Sequence, residues 1–362
     1  MMKRILSLSL AAALGLTLLA GCGPAPEAPS SAGEETPVVG TAEHLRVLLP
    51  SSAGAAVAAE RSEAFCAALG EEMRRQGWVV EEITLETAST EASSGKALDD
   101  GTADVVILPA SQYFTYSDDT DLLMTATRQG LSVTGEQARE WNGSVDAVSY
   151  TDEDCPYGRT LICATASDRG RALAEKAKNG TLAWEDLESA RWMYAKATSS
   201  SDFFYPDLWL TEAFGKTLAD VPNLMPLDGY GALFSEAARQ EADVIVIPAD
   251  LRVDYSAAWQ LAPDDMDHTG KLGLGRTDSI FNEIQVIGVT EPIYGDVMAV
   301  RTEEEPFADT DFQTALVNAM DALENNEDAR AIWATCGYTG FTPSGDSHYD
   351  NIREMTVFGA GD

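Results

Sequence analysis

The architecture this sequence predicts is an α/β fold of two lobes, two parallel/mixed sheets flanked by helices and joined by a two-strand hinge. Three observations predict it. A strand, helix, strand, helix, strand order opens the body of the chain. The same order recurs after Gly158. An octapeptide is also nearly repeated, Ala103-Asp104-Val105-Val106-Ile107-Leu108-Pro109-Ala110 against Ala242-Asp243-Val244-Ile245-Val246-Ile247-Pro248-Ala249. Strands apolar throughout their length are covered on both faces, which places helices on either side of a parallel layer. With 362 residues, 45% hydrophobic and 23% charged, the chain has apolar mass for two such lobes and is neither a disordered tail nor a membrane bundle.

Taken in order, residues 1–22 read as a secretory signal. Lys3 and Arg4 precede a largely apolar run from Ile5 to Ala20, too short for a comfortable membrane span, that ends in Leu19-Ala20-Gly21-Cys22. This ending looks like a bacterial lipobox, which would make Cys22 the site of lipidation. Residues 23–43, rich in Pro, Gly, Ser and Glu, are expected to form a disordered tether.

Lobe 1 is assigned residues 44–157 and 286–362, and lobe 2 residues 158–285. In the first, Leu45–Leu49 is a buried strand that stops at Pro50-Ser51-Ser52. A helical pattern from Ala55 to Gln76 follows, then the strand Trp78–Ile83, another helix, and the strand ending at Leu108. In the second, Thr160–Ala164, Arg191–Ala195 and Asp243–Pro248 are strands separated by helical stretches. Ile284–Val289 is expected to carry the chain back to lobe 1, where helices around Phe312–Leu323 and Asp328–Cys336 complete the fold.

The composition also excludes partners. A formal charge of −35 is incompatible with binding held mainly through phosphate backbones, so nucleic acid is excluded. Five cysteines without a C-x-x-C pair fit neither a zinc finger nor a disulfide-stapled miniprotein. Cys155 and Cys163 either close a local disulfide across Pro156-Tyr157-Gly158 or remain thiols. The acids of 115–121 and 151–154 match no calcium loop and are expected as solvated surface loops. His44, His268 and His348 have no metal-spaced partners and are expected at the surface. No nucleophile-elbow, zincin or P-loop signature occurs, so neither catalytic residues, nor a metal, nor a cofactor is expected.

Chemistry concentrates in Ser199-Ser200-Ser201-Asp202, a hydroxyl-rich turn entering the helix that begins Phe203-Phe204-Tyr205-Pro206. Free backbone N–H groups, the positive end of the helix dipole and three hydroxyls suit a tetrahedral oxyanion, although a plain serine N-cap has the same residues. The order of lipobox, tether, Leu45–Ser52, Asp104–Tyr113, Trp184-Glu185-Asp186-Leu187, Ser199–Pro206 and Glu291-Pro292-Ile293-Tyr294-Gly295-Asp296 resembles that of phosphate/phosphite/phosphonate ABC-transporter substrate-binding lipoproteins.

The resemblance implies a type II periplasmic-binding-protein fold and no enzymatic activity. It implies a small-molecule ligand in the inter-lobe cleft, an ABC permease as partner, and anchoring through lipid on Cys22, palmitate included, to the outer face of the membrane on its periplasmic or extracellular side. A monomer is expected.

Two positions depart from the family pattern. Asp202 stands where members carry glycine, and Tyr230, after Gly229, stands where many carry histidine. An ionised Asp202 about 5 Å from a bound anion would cost on the order of 3 kcal/mol at an effective dielectric of 20. Either Asp202 receives an amine or neutral polar group of a changed ligand, with Tyr113, Tyr205 and Tyr230 as aromatic walls, or it turns to solvent and leaves an ordinary oxyanion site. Ser51, at the end of the first strand, completes the expected contacts. The alternative function is an exported sensor or scavenging lipoprotein for an amine-bearing or neutral ligand, without a permease.

Overall fold

The computed structural model describes residues 37–116, 118–143, 148–195 and 200–353. The signal, Cys22 and most of the expected tether lie outside the described residues. Among those described, no helix is long and apolar enough to cross a membrane.

Among the described residues, fourteen strands organise the body. In chain order they are β1 (Gly40–Leu49), β2 (Trp78–Thr87), β3 (Val105–Leu108), β4 (Thr120–Leu131), β5 (Tyr150–Cys155), β6 (Tyr157–Gly158) and β7 (Thr160–Ala164). They continue as β8 (Trp192–Tyr194), β9 (Leu224–Pro226), β10 (Val244–Pro248), β11 (Gln285–Val289), β12 (Ile293–Tyr294), β13 (Val297–Arg301) and β14 (Gly340–Pro343).

The first sheet runs β14-β4-β13-β3-β1-β2, with β5 added on β4. Strands β1, β2 and β3 are parallel, as the strand–helix–strand grammar requires, and β13, β4 and β14 follow, each antiparallel to the strand before it in the sheet. The helix Ala55–Arg75 lays Phe65, Leu69 and Met73 into the core beneath β1, at the four-residue spacing of one helical face. The second sheet runs β11-β7-β10-β8-β9, with β8 parallel to β10 and β9 and with β7 antiparallel to its two neighbours.

Where the chain passes between the sheets, β6 and β12 pair antiparallel, Ile293 opposite Gly158 and Tyr294 opposite Tyr157. Further contacts lace the two crossings together. The Thr160 backbone N–H donates to Thr290 Oγ1 at 2.9 Å, and Arg159 Nη1 donates to the Thr290 carbonyl at 2.7 Å.

Several expectations need correction. The tether, expected through residue 43, gives way to β1 at Gly40, because Ala42 is buried and the register with β2 begins at Gly40 opposite Trp78. Strand β11 does not return the chain to the first sheet. It pairs with β7, and the return comes through β12 to β13. Residues 151–154 lie within strand β5 rather than in a loop, although they remain largely exposed. Cys155 and Cys163 are free thiols, and Cys163 is buried in the second sheet. His44 is half-buried, 3.7 Å from Asp104, whereas His268 and His348 are exposed.

Candidate functional site

Parallel strands present ligands at their C-terminal ends. In this chain Pro109-Ala110-Ser111 continues β3, and Pro248-Ala249 continues β10. These two segments face a common cavity of about 540 Å³, into which Ser201, in the segment after β8, also opens. The crossing segments close the cavity through Tyr157, Gly158 and Arg159 on one side and Ile293, Tyr294, Gly295 and Asp296 on the other. Gly295 is required at its position, since a Cβ there would stand 2.3 Å from the Ala126 carbonyl oxygen.

Ser201 belongs to a π-helical turn, Ser200–Phe204, that leads into the α-helix Tyr205–Phe214. Thr160 Oγ1 donates to the Ser201 carbonyl at 2.7 Å and fixes the turn against β7. Residues 196–199, and with them Ser199, lie outside the described residues, as does the side chain of Ser200.

Asp202 neither turns to solvent nor lines the cavity. It is wholly buried, and the Tyr230 hydroxyl donates across both its carboxylate oxygens at 2.9 and 3.0 Å. Gly229, with φ +87°, turns the chain so that Tyr230 opens the helix Tyr230–Ala238 and reaches that carboxylate. Burial first, then the Asp202 charge and hydrogen bond, push the Tyr230 phenol far above its ordinary range. Tyr230 therefore lines the cavity with its proton already committed to Asp202, and what it offers a ligand is an acceptor oxygen.

Three expected contacts lie elsewhere. Tyr113 and Tyr205 are 2% and 3% exposed and share one apolar cluster with Leu98, Val106 and Tyr349. Tyr113 packs edge-on to Phe114 at 4.9 Å, and burial pushes its phenol up to about 12. Tyr205 packs edge-on to Phe204 at 5.2 Å, so both rings serve packing between elements instead of forming a ligand wall. Ser51 is half-buried in the turn after β1, where Ala53 N–H closes on the Pro50 carbonyl at 3.0 Å; it is not among the cavity's lining residues.

The sequence reading missed the cavity's cations. Arg128 on β4 and Arg159 at the start of β7 both line it. Arg159 is almost buried, donating to the Thr134 carbonyl at 3.0 Å and standing 3.4 Å from the exposed Glu136. Among the described residues the one carboxylate in the lining is Asp296, which accepts from the Tyr338 hydroxyl. Burial holds the Asp296 carboxyl above the usual carboxylate range, against the Tyr338 hydrogen bond and the Arg128 charge. Two guanidiniums against a single carboxylate favour an anion in this cavity, within a chain whose net charge is −35.

A family model described as "ABC transporter, phosphonate, periplasmic substrate-binding protein" matches residues 49–349. Among solved structures, the Mycoplasma hyorhinis protein Mh-p37 is similar at 13% identity and a TM-score of 0.59, over 87% of this chain and 98% of that one. XAC2383 from Xanthomonas citri, in its ATP-bound form, is similar at 14% identity and a TM-score of 0.51, over 87% of this chain and 96% of that one. No curated protein matches by sequence.

Proposed function

Because the chain belongs to the family of periplasmic substrate-binding proteins of phosphonate ABC transporters, we propose that it binds a small oxyanion of the phosphonate, phosphate or phosphite class between its two sheets. Its fold is that of type II periplasmic binding proteins, and the family comprises exported transporter components rather than enzymes. The observation that carries the ligand reading is the cavity itself. Strand ends from both sheets, Ser201 and two guanidiniums converge on about 540 Å³, a volume suited to a small organic ligand.

In this reading the Ser201 turn and Arg159 hold the oxyanion, and the protonated Tyr230–Asp202 pair presents an acceptor to a P–OH group. Acylated on Cys22, palmitate being one such acyl group, the protein stays at the outer face of the membrane and hands its ligand, as a monomer, to an ABC permease. Labelled palmitate incorporated by the wild type and lost in Cys22→Ser is the expected result for the anchor.

Calorimetry with phosphate, phosphite, methylphosphonate and 2-aminoethylphosphonate tests the ligand class. Saturable one-to-one binding of at least one of them is expected, with phosphorus NMR showing the ligand unchanged afterwards. An absence of heat with all four, or conversion of the ligand, would overturn the reading.

A further inference from the structure

The cavity has a neighbour. A second chamber of about 320 Å³ shares Arg128, Cys155, Tyr157, Gly158, Arg159 and Ala249 with the first, so the two adjoin across the crossing strand β6. Its remaining wall is mostly apolar and aromatic, with Leu131, Val133, Trp141 and Tyr150 prominent. Among the described residues no carboxylate lines it, although the chain carries 59 Asp and Glu.

The two guanidiniums differ in how far they are occupied. Arg159 is held by the carbonyls of Thr134 and Thr290, and its guanidinium lies 5.8 Å over the Tyr157 ring. Arg128 is exposed, resting 5.4 Å over the Tyr338 ring. Among the described residues it forms no salt bridge and donates to no protein oxygen. A planar fork of donors without acceptors, set where the oxyanion cavity meets an apolar chamber, is matched by a carboxylate or phosphate that it can bind bidentately.

We propose that the second chamber receives the organic arm of the ligand and that Arg128 binds an anionic group on that arm. The preferred substrates are thus phosphonates or phosphate esters bearing a second anionic group. This rests on the reading of the 540 Å³ cavity as the oxyanion site. A simple alkylphosphonate satisfies the first chamber alone and leaves Arg128 to water. An ammonium-bearing arm meets a like charge.

Calorimetry with 3-phosphonopropionate, methylphosphonate and 2-aminoethylphosphonate, on the wild type, Arg128→Gln and Arg128→Lys, tests this. In the wild type 3-phosphonopropionate is expected to bind at least about tenfold more tightly than methylphosphonate, the scale of one charge-assisted bidentate contact. That preference falls towards unity in Arg128→Gln and is partly kept in Arg128→Lys, with 3-phosphonopropionate losing more affinity than methylphosphonate in both.

Three results would overturn the proposal: equal affinity for the carboxylated and plain phosphonates, equal weakening of both in Arg128→Gln, or a preference for 2-aminoethylphosphonate. Binding of methylphosphonate with no gain from the carboxylate defeats only the two-anion inference. Failure of every phosphonate to bind defeats the cavity reading along with it.

Discussion

Strands β3 and β10 carry nearly the same octapeptide and are built alike at one end and differently at the other. At the shared end Asp104 accepts from the Arg46 backbone N–H at 2.7 Å and from its guanidinium at 3.0 and 2.6 Å. Asp243 treats Arg191 the same way, at 2.9 Å from the backbone and 3.1 and 2.8 Å from the side chain. Each aspartate thereby ties the start of a central strand to a neighbouring strand or the residue just before it.

Past the repeated Pro-Ala the two diverge. Ser111 faces the cavity, whereas Asp250 turns inward to a fully buried ion pair with Arg252. Arg252 goes on to donate to the carbonyls of Ile284 and Trp141. The repeated end is framework, and the divergent end is where one sheet supplies a cavity-lining serine and the other an internal brace.

The largest expected effect lies at that brace. Arg252→Ala leaves Asp250 buried without its cation and should cost about 3–5 kcal/mol in urea unfolding. A loss under about 1 kcal/mol would deny the brace its structural role. Next come the paired aspartates. Asp104 also accepts from Arg301 at 2.9 Å, so Asp104→Asn should destabilise more than Asp243→Asn, each within about 1–3 kcal/mol. Equal losses would mean the second guanidinium adds no more at Asp104 than the Ser167 hydroxyl, 2.7 Å away, adds at Asp243.

At the divergent end Ser111→Ala should weaken oxyanion binding by about two- to tenfold, the scale of one neutral hydrogen bond, with an unchanged thermal midpoint. A shifted midpoint with unchanged affinity would return Ser111 to the framework.

The smallest effect is a pH dependence. Burial pushes the Asp243 carboxyl up, but hydrogen bonds from the Arg191 side chain and backbone and from Ser167 outweigh it and hold the group below the usual range. A depressed carboxylate contributes fully above its unfolded value, about 3.9, and loses that contribution as pH falls through its folded value. The stability gap between the wild type and Asp243→Asn should therefore narrow in acid while staying constant near neutrality.

Continuous apolar strands such as β3, β7 and β10 were legible because burial on both faces leaves no polar residue to interrupt them. Burial does not name a neighbour, however, and Ile284–Val289 reads the same whichever sheet it joins. Strand β1 began earlier than composition suggested because in Gly40-Thr41-Ala42-Glu43 only Ala42 is buried.

Strand β4 escaped notice because its first residues fell within an acidic stretch. Ser201 was singled out because serine runs at helix starts carry a local meaning, and Tyr230 because Gly229-Tyr230 stands where many members of the resembled family carry glycine and histidine. Arg128 and Arg159 were missed because the cavity they line is built from segments far apart in sequence, which only the assembled chain brings together. The position of Ser111 was within reach, since it follows a strand whose C-terminal end was already expected to present ligand.

The pairing of β6 with β12 spans two residues on each side, and Arg159 follows β6 directly in sequence. In any bending about that short ladder, displacement grows with distance from the pivot. Arg159 would therefore travel little, and so would Ser201, whose carbonyl accepts from Thr160 Oγ1 at 2.7 Å. On the proposed reading a solute would meet this charge before any closure, so capture and enclosure would be separable events with different salt dependence.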